Sequence, residues 1–111
     1  MSAPILVVTS VDALGRPVRE PKGLVVGHAV VQVDVFEEDD EDEETPPGGK
    51  RVGTYERALS RARTAALAEL LADARRVGAN AVVDTRLQLG EVSESSEAAV
   101  FASFTGTALV I

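Results

Sequence analysis

The chain has 111 residues, 45% of them apolar, 4% aromatic and none of them cysteine, and carries a net charge of −7. A chain of this length makes one domain and buries roughly two-thirds of its unfolded surface without staples. The lack of cysteine excludes disulfides and thiolate metal sites. The charge excludes a general nucleic-acid binder: eight of the 18 acids fall in 37–44, and the remaining chain is near neutral with no basic stripe.

With so few aromatics, the core falls to Val, Leu, Ile and Ala. No basic stretch precedes an apolar one, and the longest apolar run, around 23–31, is too short to cross a bilayer. The expectation is a cytoplasmic protein with no membrane partner.

Residues 5–9, Ile-Leu-Val-Val-Thr, read as a short buried strand. Residues 12–22 hold Gly15, Pro17 and Pro21, which mark a turn or loop. From 24 to 36 the chain alternates as a strand. Val25, Gly27, Ala29, Val31, Val33 and Val35 share an apolar face suited to burial against a helix. Leu24, Val26, His28, Val30, Gln32, Asp34 and Phe36 share the other, mixed face. Residues 37–53 have no period and contain Pro46-Pro47-Gly48-Gly49, so they read as a flexible acidic loop kept extended by its own charge.

The period from 54 to 77 predicts a long helix capped by Thr54. Tyr55, Leu59, Ala62, Ala66, Leu70, Ala74 and Val77 form one stripe. Glu56 in the first turn and Arg75 and Arg76 in the last suit the helix dipole, and Gly78 supplies the stop. Alanines on the stripe predict a close approach to a sheet. A second long strand follows, with Ala81, Val83, Thr85, Leu87 and Leu89 on one face and Val82, Asp84, Arg86 and Gln88 on the other. Residues 90–97 read as a hairpin connection and 98–111 as a third long strand, in which Gly106 marks a bulge or a close backbone approach.

These elements predict a single α+β domain over 1–111: two layers, an antiparallel sheet with one long helix on one face, in the order β-β-α-β-β. One helix covers one face. The other keeps Leu24, Val26, Val30 and a phenylalanine of the last strand. An apolar face left in water predicts a partner, and a second copy is the simplest one.

Several short motifs recur in a familiar order. Gly23-Leu24-Val25-Val26-Gly27-His28-Ala29-Val30 is followed by Gly48-Gly49-Lys50-Arg51, Tyr55-Glu56, and Arg63 and Ala66 in the helix. Then come Gly78-Ala79-Asn80-Ala81-Val82 and Gly106-Thr107-Ala108-Leu109-Val110. In this arrangement the chain resembles the small bacterial YbjQ-like family, which bears a heavy-metal-binding label. The resemblance implies a helix on an antiparallel sheet and a ring-shaped homo-oligomer, commonly of five subunits. It implies no established reaction. Two departures stand out: His28 takes a position where family members often have Glu, and the acidic run replaces a more apolar segment with Arg-Asp.

Three places carry candidate chemistry. In the acidic run, Glu37, Asp39, Asp40 and Asp42 can gather divalent cations or a basic partner loosely. An EF-hand is excluded, since counting from Asp40 puts Thr45 at the glycine position and Arg51 at the glutamate position. The alternative is a solvated loop. His28, the single histidine, shares a strand face with Asp34, and an imidazole plus a carboxylate can begin a zinc or nickel site. One subunit offers too few ligands, so an interface would have to complete it; the alternative is a histidine bonded to a neighbouring subunit. Lys50 and Arg51, placed before the helix, suggest an anion site at its free amides. A Walker motif is excluded by Glu44 and Arg51 at its glycine and Ser/Thr positions.

Nucleophilic catalysis has no support: there is no cysteine, no second histidine and no Gly-x-Ser-x-Gly. Tyr55 is expected to pack its ring on the core and tie its hydroxyl to a loop, and Asn80 to satisfy backbone groups at the helix-to-strand corner. The function expected is a non-enzymatic homo-oligomer that binds a small ligand or serves as an assembly module. The alternative is a divalent-metal protein with a site at the subunit boundary.

Overall fold

The computed structural model describes residues 4–33, 49–94 and 97–111. In chain order it has strand β1 (Leu6–Val7), a 3-10 turn (Val11–Leu14), strand β2 (Glu20–Val33), helix α1 (Gly49–Arg76), strand β3 (Ala81–Glu94) and strand β4 (Glu97–Val110). The strands form one sheet in the order β1-β3-β4-β2, and α1 lies across β2 and β4. Class, layering and element order are those the sequence predicted. The sheet is not purely antiparallel, however, because β1 runs parallel to β3, with Leu6 opposite Ala81 and Val7 opposite Val82. No hairpin joins these two strands, so no turn sets their relative direction.

The packing of α1 follows from residue size. Ala58, Ala62, Ala66, Leu70 and Ala74 recur every four residues and are at most 1% exposed. Beneath them lies the apolar face of β2. A Cβ on Gly27 would stand 2.2 Å from the Ala66 carbonyl oxygen and 2.3 Å from the Leu70 amide nitrogen. Helix backbone thus meets strand backbone at Gly27, which only glycine permits. The core on this side falls into two groups. Val25, Leu70, Ala74, Val82 and Ala108 pack toward one end; Val33, Ala58, Ala62, Val100 and Ala102 pack toward the other, with the Tyr55 ring against them.

The helix begins at Gly49, five residues ahead of the expected Thr54. Thr54 is therefore an interior residue, whose hydroxyl accepts a hydrogen bond from Arg57 Nη2 at 3.4 Å, and not the cap. Gly49 and Gly53 are poor helix formers, which is why propensity placed the start late. The end agrees with expectation: Gly78 is left-handed (φ 81°) and its amide donates to the Arg75 carbonyl at 3.0 Å.

Both long-strand starts carry corrections. Strand β2 begins at Glu20, so Pro21 lies in a strand and not in a turn. An edge strand tolerates the lost donor, and the register with β4 slips between Pro21 and Gly23, where Gly23 has φ 99°. In β3 the register with β4 slips between Val83 and Arg86, at Asp84, which takes φ 53°. Aspartate is among the few residues that accept this conformation. The next residue, Thr85, is held by its hydroxyl, which donates to the Val8 carbonyl at 2.9 Å.

This bulge breaks the predicted alternation of β3. Ala81 and Val83 lie on the face away from α1, clustered with Leu14 and Leu109. Leu87 and Leu89, paired with Phe104 and Ala102, turn to the α1 face. Gly106 lies in the facing strand, where a Cβ would stand 2.5 Å from Val82 Cγ1; the close-approach reading holds and the bulge belongs to β3. The expected connection over 90–97 is mostly strand, since β3 continues to Glu94 and β4 starts at Glu97. Gly90 extends the ladder because the Phe101 ring opposite it fills the place of its missing side chain, 2.3 Å from where a Cβ would sit.

Candidate functional site

Two surfaces of the sheet lack cover from the described residues. On the face away from α1, Leu24 is 72% and Val30 67% exposed, with Val26 and Val92 exposed beside them. On the α1 face, Leu87 and Leu89 are 42% and 44% exposed, because α1 covers β2 and β4 and scarcely reaches β3. Large apolar side chains thus lie exposed on both faces, on the two strands that flank β4.

The β2 edge is guarded over half its length. The Val26 amide donates to Asp73 Oδ2 at 3.1 Å and the His28 amide to Glu69 Oε1 at 3.3 Å. Asp73 and Glu69 are one helical turn apart, Val26 and His28 one strand repeat apart, so α1 runs along the edge and satisfies successive outward amides. Asp73 is itself held by Arg76, whose Nε donates to Oδ1 at 3.1 Å. The Arg76 guanidinium and the Val26 amide hold the Asp73 carboxyl below the ordinary carboxylate range. Continuing the series toward the helix start gives Ala65 and then Arg61, neither of which offers a side-chain acceptor. At that level an open groove of about 570 Å³ runs alongside the helix, lined by Val31, Ser60, Arg61, Thr64, Ala65 and Ala68.

The sequence-derived candidates fare differently. His28 is exposed on the uncovered face, where Gln32 is exposed too. Asp34, Glu37, Asp39, Asp40 and Asp42 lie outside the described residues, as does most of the acidic loop. Lys50 and Arg51 belong to the first turn of α1 and do not precede it. The anion-site reading relied on free amides just beyond them, and that premise moves with the helix start. Among the described residues, no group of three or more His, Asp or Glu could hold a metal ion, so within these residues one chain does not fit a metal centre.

Asn80 does what its position suggested. Its Oδ1 accepts from the Ile111 amide at 2.8 Å while its Nδ2 donates to the Ile111 carbonyl at 3.3 Å. Its own amide donates to the Leu109 carbonyl and its carbonyl accepts from the Leu6 amide. One residue thereby joins the start of β3 to the end of β4 and to β1. Sequence reasoning missed Glu69 and Asp73 as edge guards. Their four-residue spacing was visible, but the strand they would meet was not.

The chain is a two-layer α+β protein with a half-guarded sheet edge and exposed leucines. Its sequence places it more closely. Residues 5–111 match the model of the YbjQ family, described as "Putative heavy-metal-binding", and the chain belongs to that family. It is 30% identical to a UPF0145 protein of Methanothermobacter thermautotrophicus, covering 95% of this chain and 94% of that one. It is 37% identical to a UPF0145 protein of Actinobacillus pleuropneumoniae, covering 96% and 99%. A crystal structure of a protein of unknown function of the DUF74 family from Pediococcus pentosaceus shares the fold, with a TM-score of 0.61 at 12% identity over 96% of this chain and 97% of that one. No helix among the described residues is long and apolar enough to cross a membrane.

Proposed function

We propose that the chain works as a self-assembling module, a homo-oligomer whose sheet is completed by further copies of itself. The observation that carries this reading is the exposure of Leu24 and Val30 on one face with Leu87 and Leu89 on the other. At about 25 cal/mol per Å² of apolar surface, burying such side chains is the largest stabilisation still open to the chain. The resemblance sets five copies in a ring as the expected count. The partner is the chain itself, and binding, not bond-making chemistry, is the role its residues support. Native mass spectrometry of the untreated protein is the test. A mass several times 11.6 kDa supports the module, whereas a stable single chain at micromolar concentration overturns it.

A second reading is a divalent-metal site shared between subunits. It is favoured by His28, an imidazole exposed on the face that assembly would cover, together with the family description. The described residues of one chain hold no ligand set, so Asp34, which falls on the same alternation as His28 in the sequence, and other copies would supply the remaining ligands. Calorimetric titration with zinc should show binding by the wild type and its loss in His28→Ala. Equal binding by both removes His28 from the site.

A further inference from the structure

We infer that the middle of the sheet face turned away from α1 binds a nucleoside monophosphate, with Arg86 and Thr105 on the phosphate, Gln88, Ser103 and His28 on the sugar, and the Phe101 ring against the base. This inference goes beyond the self-assembly reading and does not need it, because every group named belongs to one chain.

The register of the three long strands sets these side chains in rows, since residues directly opposite in a ladder share a face. Arg86 and Val26 flank Thr105, Gln88 and His28 flank Ser103, and Gly90 and Val30 flank Phe101. The intervening β4 residues Ala102 and Phe104 pack under α1, so these rows lie on the other face. Arg86, Gln88 and His28 are exposed there, and Ser103 and Thr105 half-buried. Among the described residues none of these five side chains has a hydrogen-bond or ion-pair partner. Apolar cover alone would strip the hydration from each of them and return nothing. A polar ligand returns it.

The bulge in β3 delivers two of the groups. Asp84 and Thr85 together oppose the single Gly106, and Asp84 takes φ 53°. Without the extra residue, Leu87 and Leu89 would stand on this face and Arg86 and Gln88 would turn to the α1 side. The fold accepts a left-handed aspartate and half-exposed leucines, and Arg86 and Gln88 reach the hydroxyls of Ser103 and Thr105 as a result. Bulges re-aim side chains in this way beside binding sites.

The chemistry changes in order along β4. Arg86 and Thr105 at one end offer a cation and a hydroxyl, which suit a phosphate. The row of Gln88, Ser103 and His28 offers hydrogen-bond donors and acceptors. Phe101 at the other end is flat and apolar. Its ring lies across β3 at Gly90, 2.3 Å from where a Cβ would sit, so any side chain there would lift the platform. No Asp or Glu stands in these rows, so an anion meets no like charge within them. Thr105 and Phe101 are four strand residues apart, about 14 Å. An oxyanion, a polyol and a flat ring joined in that order make a nucleoside monophosphate. A polynucleotide fits less well, because the net charge of −7 repels a run of phosphates.

Amide chemical shifts of the full chain, titrated with AMP in the presence of EDTA, test the site. AMP should shift the amides of residues 86, 88, 101, 103 and 105, and should bind more tightly than adenosine or inorganic phosphate. Arg86→Gln should weaken AMP at least about tenfold and Thr105→Val about fivefold. Arg75→Gln, which removes a cation at the end of α1, should change it less than about twofold. Phe101→Leu should weaken AMP and leave inorganic phosphate unchanged. No binding of AMP by the wild type overturns the site. So does binding that requires a divalent cation, equal affinity for adenosine, or shifts confined to other residues. Binding that appears only when the eight acids of 37–44 are replaced by their amides makes that run the occupant and overturns it as well. Native mass of the same sample keeps the two readings apart: an oligomer that binds no AMP overturns the site alone, and a monomer that binds it overturns self-assembly alone.

Discussion

Beneath α1 the protein is built from its smallest residues; beside α1 it keeps some of its largest in water. Gly27, Ala58, Ala62, Ala66 and Ala102 bring helix and sheet backbones together, while Leu24, Val30, Leu87, Leu89 and Val92 remain exposed. A self-sufficient domain of this size would place its bulky side chains inside, where each contributes about 1.5–3 kcal/mol. The inversion teaches that the covered region is specified by close approach of helix and sheet and not by side-chain bulk. Close approach fixes one geometry of α1 on β2. That geometry in turn leaves α1 overhanging the edge, with carboxylates guarding one half and alanines opening the other.

The sharpest break between the regions is at Gly27. Gly27→Val should destabilise the fold by about 3 kcal/mol or more, because its side chain would occupy the Ala66 carbonyl and the Leu70 backbone, which cannot move without moving α1. Urea denaturation followed by circular dichroism measures this. A loss under about 1 kcal/mol would mean that the helix sits further from the sheet. At the corner where β1, β3 and β4 meet, Asn80→Ala should cost about 1–3 kcal/mol by leaving the Ile111 amide and carbonyl without their partners. On the uncovered face, Leu24→Ser should leave the stability of the separated subunit within about 0.5 kcal/mol of wild type. It should instead lower the concentration-dependent mass seen by light scattering. The opposite pattern, an unstable subunit with unchanged assembly, would place Leu24 inside the domain.

The covered region was legible in sequence and the uncovered region was legible only in part. The stripe through Ala62, Ala66, Leu70 and Ala74 and the alternation of β2 are periodic signals, and both survive in the structure. Gly78 and Asn80 followed from local backbone chemistry. The sides of Leu87 and Leu89 did not, because they depend on a single left-handed residue, Asp84, which reverses the phase of everything after it. The guarding of Val26 and His28 by Asp73 and Glu69 is a contact across more than forty residues, with no local signature. The start of α1 was hidden by two glycines, and with it went the setting imagined for Lys50 and Arg51. His28 was correctly placed on the mixed face of its strand, where the structure leaves it exposed.

The smallest effect sharpens the comparison along the edge itself. Asp73 titrates below the ordinary aspartate value of about 3.9, because the Arg76 guanidinium and the Val26 amide favour its charged form. A carboxyl whose pKa is depressed by folding contributes stability that is present above its unfolded pKa and fades as pH falls through the folded one. The guard on Val26 should therefore weaken only in acid below about pH 4. Asp73→Asn keeps an acceptor for the Val26 amide but carries no charge to titrate. Its stability should change less than that of the wild type between pH 5 and about pH 2, read as the denaturation midpoint at each pH. Hydrogen exchange at the Val26 amide locates the effect. In the wild type this amide should lose protection in acid before the amides of β2 that bond to β4. Simultaneous loss would mean that the edge opens only when the whole sheet does, and the carboxylate would then guard nothing on its own.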